Sequence, residues 1–375
     1  MKQRKSFLHN DGVQTLLSSL LCILGGLIIG YLVLLVIEPK GAFDAIVAVM
    51  KSFFRFPGKL MLKYFGQTLV RTVPLLMCSL SVLFAYKVGM FNIGVAGQYV
   101  AGACGCLYAA LAWKLPWLPC LLIGMLAAAL LGVIAGLLRT KCNVNIVISG
   151  IMLNWITLYL TNLILGKVKS PMSPYTLNLM GTNPKAMLPS LGLEKLFNNE
   201  SSVTIAIPLA ILVAVGVWVV LNKTKFGYEL KATGHNYHAA KYAGMKEDRN
   251  IILTMVISGA LAGLGAGLLF LTGIEEWETT ISSVPAMGFN GIAAAFLGGL
   301  SPIGSILSAF FIQYVTLGGG NVDLQVYCSQ ISGLISSLII YLCAFVAFFK
   351  FFIQAQLRKR NEKRELAARE GGEDQ

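Results

Sequence analysis

Ten runs of about 20 predominantly apolar residues recur along the 375-residue chain. A run of that length is what a helix needs to cross roughly 30 Å of hydrocarbon at about 1.5 Å per residue. The runs fall at about 15–37, 67–86, 92–112, 117–138, 145–166, 203–221, 251–273, 286–300, 302–318 and 326–349. They lack the period-two alternation of an outer-membrane barrel, so the spans are helices and not strands. With 56% of residues hydrophobic and 13% charged, the chain lies outside the mix of soluble domains, which is roughly half apolar and a quarter charged. The fold class that follows is all-α: a polytopic membrane protein of about ten transmembrane helices. Its expected domains are an N-terminal segment at 1–14, a transmembrane domain at 15–349 and a charged tail at 350–375.

The first run follows "MKQRK" with no small-residue cleavage site behind it, so a retained anchor is expected, not a removed signal. Ten spans put both termini on one side. If that side is cytoplasmic, 19 of the 30 Lys and Arg residues fall in inner segments, as the positive-inside rule requires. The net charge of +13 does not imply nucleic acid, because the basic residues flank apolar spans and form no single patch interleaved with aromatics. Seven of the eight cysteines lie in or at spans, and no disulfide framework or C-x-x-C metal motif is present.

The span centres carry almost no ionisable residue. Intramembrane carboxylates and histidines are costly enough to be functional where they occur, so their scarcity speaks against proton coupling. Arg71 and Lys87 sit near span ends and are expected to snorkel to headgroups. A sodium site built from carbonyls and hydroxyls stays open. The chain has no G-x-x-x-x-G-K-[ST] loop, so ATP, if it drives the protein, is hydrolysed on another chain. His235 and His238 share a loop with no Cys, Asp or Glu at ligand spacing. No catalytic residue, metal site or cofactor is expected here, and the chain reads as no enzyme.

Two segments interrupt the apolar pattern in the same way. "MFNIGVAGQYVAGACG" (Met90–Gly105) sets Asn92 and Gln98 among glycines, and "MGFNGIAAAFLGGLSPIG" (Met287–Gly304) sets Phe289 and Asn290 among them. Paired Gly/Pro interruptions in two halves point to a transport path, and close helix packing through small residues is the alternative. Asn154 and Trp155 place an amide and an indole near the middle of the fifth span, where the amide faces either the path or a neighbouring helix. The site expected from these residues is a path lined by Asn92, Gln98, Asn154, Phe289 and Asn290.

Between the sixth and seventh spans runs a polar loop, 222–250, containing "KATGHNYHAAKYAGMKEDRN". Asn236 is placed to cap a short helix and Gly244 to end it in a left-handed conformation. A helix of two turns is not stable alone, so it must be held against something.

"FGYELKATGHN" and "HAAKYAG" in this loop resemble the F-G-x-x-L-R-A-x-G-x-N and E-A-A-x-x-x-G loop of ABC-importer permeases in the sugar and nucleoside branch. "FNIGVAGQ" (Phe91–Gln98) is similar to that branch's F-N-I-G-x-E-G-Q, and "GFNGIAAAFLGG" (Gly288–Gly299) to its G-F-[DN]-G-I-A-x-A-L-L-G. The chain departs from the pattern at His238 and Ala96, where the family often has Glu. The resemblance implies the ABC-importer permease fold in two related halves, with a second permease subunit as partner in a heterodimer. It also implies ABC ATPase subunits that bind ATP and Mg, and a solute-binding lipoprotein. The loop then becomes a coupling helix, with Gly234, Asn236, Ala239, Ala240, Tyr242, Ala243 and Gly244 at the ATPase. The place implied is a bacterial cytoplasmic membrane with both termini cytoplasmic. Length and the long first outer segment look like the larger permease of nucleoside importers. A path without charge suits a neutral solute, with simple sugars as the alternative substrate and an ATPase-independent secondary transporter as the competing class.

Overall fold

The computed structural model describes residues 11–322, 331–343 and scattered positions between 345 and 356. The start of the tenth expected span, most of the N-terminal segment and nearly all of the charged tail lie outside the described residues. Fourteen α-helices are present among the described residues: α1 Asp11–Ile37, α2 Ala42–Lys51, α3 Lys59–Tyr86, α4 Val95–Leu111, α5 Trp117–Lys141, α6 Ile146–Leu165, α7 Leu179–Thr182, α8 Ala206–Lys223, α9 Lys225–His235, α10 Tyr237–Tyr242, α11 Glu247–Phe270, α12 Met287–Leu297, α13 Pro302–Gly319 and α14 Ile331–Cys343.

Every apolar run contains a helix, yet among the described residues seven helices are long and apolar enough to cross a membrane: α1, α3, α5, α6, α8, α11 and α13. The runs at 92–112 and 286–300 become the shorter α4 and α12. With 11 residues, α12 rises only about 17 Å, half of the hydrocarbon thickness. Glycine and Asn-rich sequence explains the shortfall: the chain before each of these helices stays irregular, at 87–94 and 271–286. In the segment at 38–66, expected to be an outer loop, α2 forms instead, and α3 starts eight residues before the expected span.

Contacts fix the direction of each helix. Gly30 meets Ile335, Gly25 meets Leu342, and the Gln354 amide donates to Gln14 Oε1 at 2.9 Å, so α1 and α14 run antiparallel and the two ends of the described chain share one face. The α9–α10 loop lies on that face too, since Gly234 touches Lys87 and Val88 at the end of α3. The ion pair Arg71–Glu275, at 3.0 Å, lies toward the opposite face, where Thr176 N donates to Trp277 O and Asn183 Nδ2 donates to Ala110 O and Leu115 O. Arg71 therefore has a carboxylate partner in place of the headgroup expected for it.

The mostly buried α3 and α11 form the centre, with α4 and α5 packed on them. Association in a membrane has little hydrophobic drive and relies on close backbone approach. Gly102 accordingly faces Gly263, with the Gly263 carbonyl oxygen 2.9 Å from where a Cβ would stand. A larger residue at Gly102 forces α4 and α11 apart, and one at Gly263 forces α11 from α5, where Ala128 and Gly124 stand in its way. Exposed leucines and isoleucines line α1, α5 and α8 on the perimeter.

Candidate translocation path and coupling loop

The irregular turn 87–94 turns back into the protein and delivers Asn92 to a buried polar cluster. Asn92 Nδ2 donates to Gln98 Oε1 at 2.9 Å and to Ser258 Oγ at 2.8 Å. Ser258 in turn donates to Ser81 O at 2.9 Å and stands 2.8 Å from Ser81 Oγ. These four side chains come from α3, the α3–α4 turn, α4 and α11, and all are buried. Asn154 closes the same region from α6: its Oδ1 accepts from Gly97 N at 2.7 Å and its Nδ2 donates to Ile93 O at 3.1 Å. Its carbonyl thus replaces the helical partner that Gly97 N lacks at the start of α4, and its amide holds the turn just before that helix.

The five residues expected along the path therefore divide. Asn92, Gln98 and Asn154 join helices to one another, and their polar atoms are engaged within the protein. Phe289 is exposed and Asn290 half-buried, and the Asn290 side chain hydrogen-bonds none of the described residues. The two glycine-interrupted motifs nonetheless touch: Gly288 packs on the backbone of Ala96, with the Ala96 nitrogen 2.7 Å from where a Cβ would stand. Gly291 packs on Cys78 and Ser79, and the Phe296 ring meets Tyr86 and Phe91 at centroid distances of 5.3 and 6.3 Å. So α12 runs beside α3 from mid-depth toward the face that bears the loop. Ser81 and Ser258 escaped the sequence reading because a serine in an apolar helix carries no sign of its partner.

The loop has the ends its sequence specifies. Asn236 Oδ1 accepts from Ala239 N at 3.0 Å, capping α10. At the other end Gly244 takes φ +79°, Met245 N donates to Ala240 O and Gly244 N donates to Lys241 O, the paired bonds of a Schellman termination. Two contacts tie α10 to the start of α11: Tyr237 Oη donates to Asp248 Oδ1 at 3.0 Å, and Lys241 Nζ lies 3.4 Å from Glu247. Partial burial, then the carboxylates beside it, holds the Tyr237 phenol above its usual range. Thr233 accepts from the buried Asn250 Nδ2 at 2.9 Å, which fixes the end of α9 on α11.

Of the residues expected to face a partner, Ala239, Tyr242, Ala243 and Gly244 are exposed, Tyr242 at 92%. Ala240 is not: it is 3% exposed and lies at the floor of an open cavity of about 580 Å³ lined also by Leu221, Tyr228 and Ala232, with Ala239 and Ala243 at its edge. A six-residue helix shows one face outward, and the i, i+3, i+4 rule puts Ala239, Tyr242 and Ala243 on it. Ala240 lies on the other and seats the helix. Gly234 sits a turn earlier, against the α3–α4 turn, and Gly89, at φ +74°, faces it from the other side. The loop is thereby joined to the segment that carries Asn92.

Residues 64–344 match the family described as "Branched-chain amino acid transport system / permease component". The chain belongs to that permease family. It is similar to the guanosine ABC transporter permease protein NupP of Bacillus subtilis, at 34% identity over 79% of this chain and 85% of that one. The nucleoside ABC transporter permease protein NupB of Lactococcus lactis is 33% identical over 78% of this chain and 81% of its own. The glucose ABC transporter permease protein TsgB13 of Haloferax volcanii is 32% identical over 69% and 70% respectively.

As a permease, the protein has no catalytic centre to assemble, and among the described residues no cluster of His, Cys, Asp and Glu could hold a metal. Its two departures from the motif have different surroundings. Ala96 is wholly buried against Gly288, so its small side chain sets how closely α4 and α12 approach. His238 is exposed, its ring edge-on to Tyr237 at 5.4 Å.

Proposed function

We propose that this permease is the membrane subunit of an ATP-driven importer of nucleosides, working with a second permease subunit, ABC ATPase subunits that bind ATP and Mg, and a solute-binding lipoprotein. The observation that carries the energy source is the outward face of α10. A six-residue helix capped at both ends presents Ala239, Tyr242 and Ala243 to solvent, while its inner face packs on α9 and α11 and Gly234 of α9 bears on the α3–α4 turn. Small residues flanking one exposed tyrosine suit a groove of an ATPase subunit. Movement of that subunit then displaces Val88 and Gly89, and with them Asn92 and the start of α4. The path opens and closes because α4 and α12 share the Ala96–Gly288 contact.

The solute follows from the likeness to the guanosine and nucleoside permeases and from the uncharged surroundings of α12. A simple sugar is the second reading, favoured by the likeness to the glucose permease. In this reading the face bearing loop 222–250, Lys87 and both chain ends is cytoplasmic, in a bacterial cytoplasmic membrane. The positive-inside bias of the sequence supports that orientation.

The test is uptake by proteoliposomes holding the complete importer. Labelled guanosine, uridine, ribose and glucose are offered with and without ATP, and with an uncoupler at constant ATP. Nucleoside uptake that requires ATP and survives the uncoupler is expected. Uptake of glucose alone replaces the substrate, and uptake abolished by the uncoupler overturns the ATP-driven class.

A further inference from the structure

Building on the nucleoside reading, we propose that Trp155 and Tyr159 of α6, together with Ser282 and Ser283, form the solute-recognition face of the path, the rings stacking on the base and the hydroxyls meeting the sugar. Sequence reasoning placed a candidate at Asn154; the geometry points to its neighbours. Asn154 turns inward to Gly97, so Trp155, one position on, turns outward, about 100° around the helix. Tyr159 stacks beside it, with ring centroids 6.2 Å apart and planes 27° apart. The two rings are 42% and 58% exposed.

Depth separates this pair from an ordinary lipid-facing aromatic. Trp and Tyr on a membrane surface concentrate at the headgroup level, where N–H and O–H meet water. Trp155 is the tenth of the 20 residues of α6, about 15 Å from either end, at the middle of the hydrocarbon. Neither the indole N–H nor the phenol has a hydrogen-bond partner among the described residues. A donor facing lipid there has nothing to bond and is costly; one facing a watery path does not share that cost.

The segment beside the rings is polar as well. Asn162 Nδ2 donates to Ile281 O at 2.8 Å, and its Oδ1 accepts from Trp277 Nε1 at 3.0 Å. These bonds attach the irregular segment 271–286 to α6 three residues beyond Tyr159, on the side where Trp155 and Tyr159 project. From Ile281 the chain descends through Ser282 and Ser283, both exposed, to Gly288, which packs on Ala96 next to Gly97, the residue held by Asn154. The descent therefore passes the depth of Tyr159 and Trp155 and ends at exposed Phe289 and half-buried Asn290. Irregular backbone with free hydroxyls at this depth is tolerated only against protein or a water-filled cavity. A stacked aromatic pair at the depth of exposed hydroxyls suits a flat base joined to a polyhydroxylated ring, and sequence-tolerant base stacking needs only the π-face.

Two measurements on the complete importer test this. In a Cys142→Ser background, which removes an exposed native thiol, Tyr159→Cys and Ser283→Cys are treated with a charged, water-soluble methanethiosulfonate. Labelling of both, slowed by guanosine, is expected; no labelling of either places them in lipid or packed protein and overturns the proposal whatever the solute is. In uptake assays Trp155→Leu and Tyr159→Leu should each lower guanosine transport about tenfold, with Trp155→Phe and Tyr159→Phe recovering most of it and ribose competing no better than in the wild type. Guanosine uptake unchanged in both leucine variants also overturns it. Wild-type importer that carries only glucose fails the nucleoside reading instead, and is told apart because thiol labelling of the two positions then stands without protection by guanosine.

Discussion

Gly234→Ala separates the packing of the loop from its mechanical role. An alanine Cβ at this position stands 2.6 Å from Val88 C, 2.7 Å from Val88 Cα and 2.8 Å from Lys87 O, where ordinary contact begins at 3.4 Å. All three are backbone atoms and cannot rotate away, so α9 and the α3–α4 turn must separate by roughly 0.7 Å. Overpacking of this kind costs about 1–3 kcal/mol. Against it, Gly234 lies in the last turn of α9, and replacing a helical glycine by alanine returns up to about 1 kcal/mol. The net loss, about 0–3 kcal/mol, is small beside the ~5–15 kcal/mol that holds a domain folded. The variant should therefore insert and assemble, with the loop displaced from the segment it drives. Reconstituted with its ATPase subunits, it should hydrolyse ATP within about twofold of wild type and carry at least about fivefold less solute per ATP, the equivalent of about 1 kcal/mol. Gly216→Ala is the control, since nothing lies within 4 Å of a Cβ there. Transport per ATP equal to wild type in Gly234→Ala, with Gly216→Ala also unchanged, refutes the mechanical link.

Asn236→Ala removes the acceptor for Ala239 N and should destabilise α10 by about 1 kcal/mol, read as faster amide exchange at 239–242. Ala243→Arg, on the exposed face, should abolish pull-down of the ATPase without changing the melting temperature of the detergent-solubilised permease. Ala240→Arg should lower both, because that side chain is buried. Asn154→Leu leaves Gly97 N and Ile93 O without their partner and should lower stability by about 1–3 kcal/mol for each, seen as a lower melting temperature and reduced yield. Arg71→Ala breaks an ion pair whose side chains are 40% and 35% exposed; solvent screening holds its contribution below about 1 kcal/mol, and the same melting measurement should barely move.

The sequence by itself determined the class of protein, the position of every apolar run and the two ends of α10. Those properties are local: hydrocarbon thickness sets the length of a run, and an Asn side chain or a left-handed glycine acts within four residues of itself. It determined also that "FNIGVAGQ" and "GFNGIAAAFLGG" belong together, because glycine and amide residues are anomalous in an apolar setting wherever they fall. Which way each amide turns was decided only by the tertiary structure. Asn154 and Trp155 are adjacent in sequence, and one seals α6 to α4 while the other is left exposed, a choice made by the angle at which α6 meets Gly97. Ala239 and Ala240 are the same residue type side by side, and packing on α9 and α11 buries one and exposes the other. Nor does any local pattern mark Ser258 as the partner of Asn92 and of Ser81, since a hydrogen bond across 166 residues between Asn92 and Ser258 exists only once α3, α4 and α11 have packed.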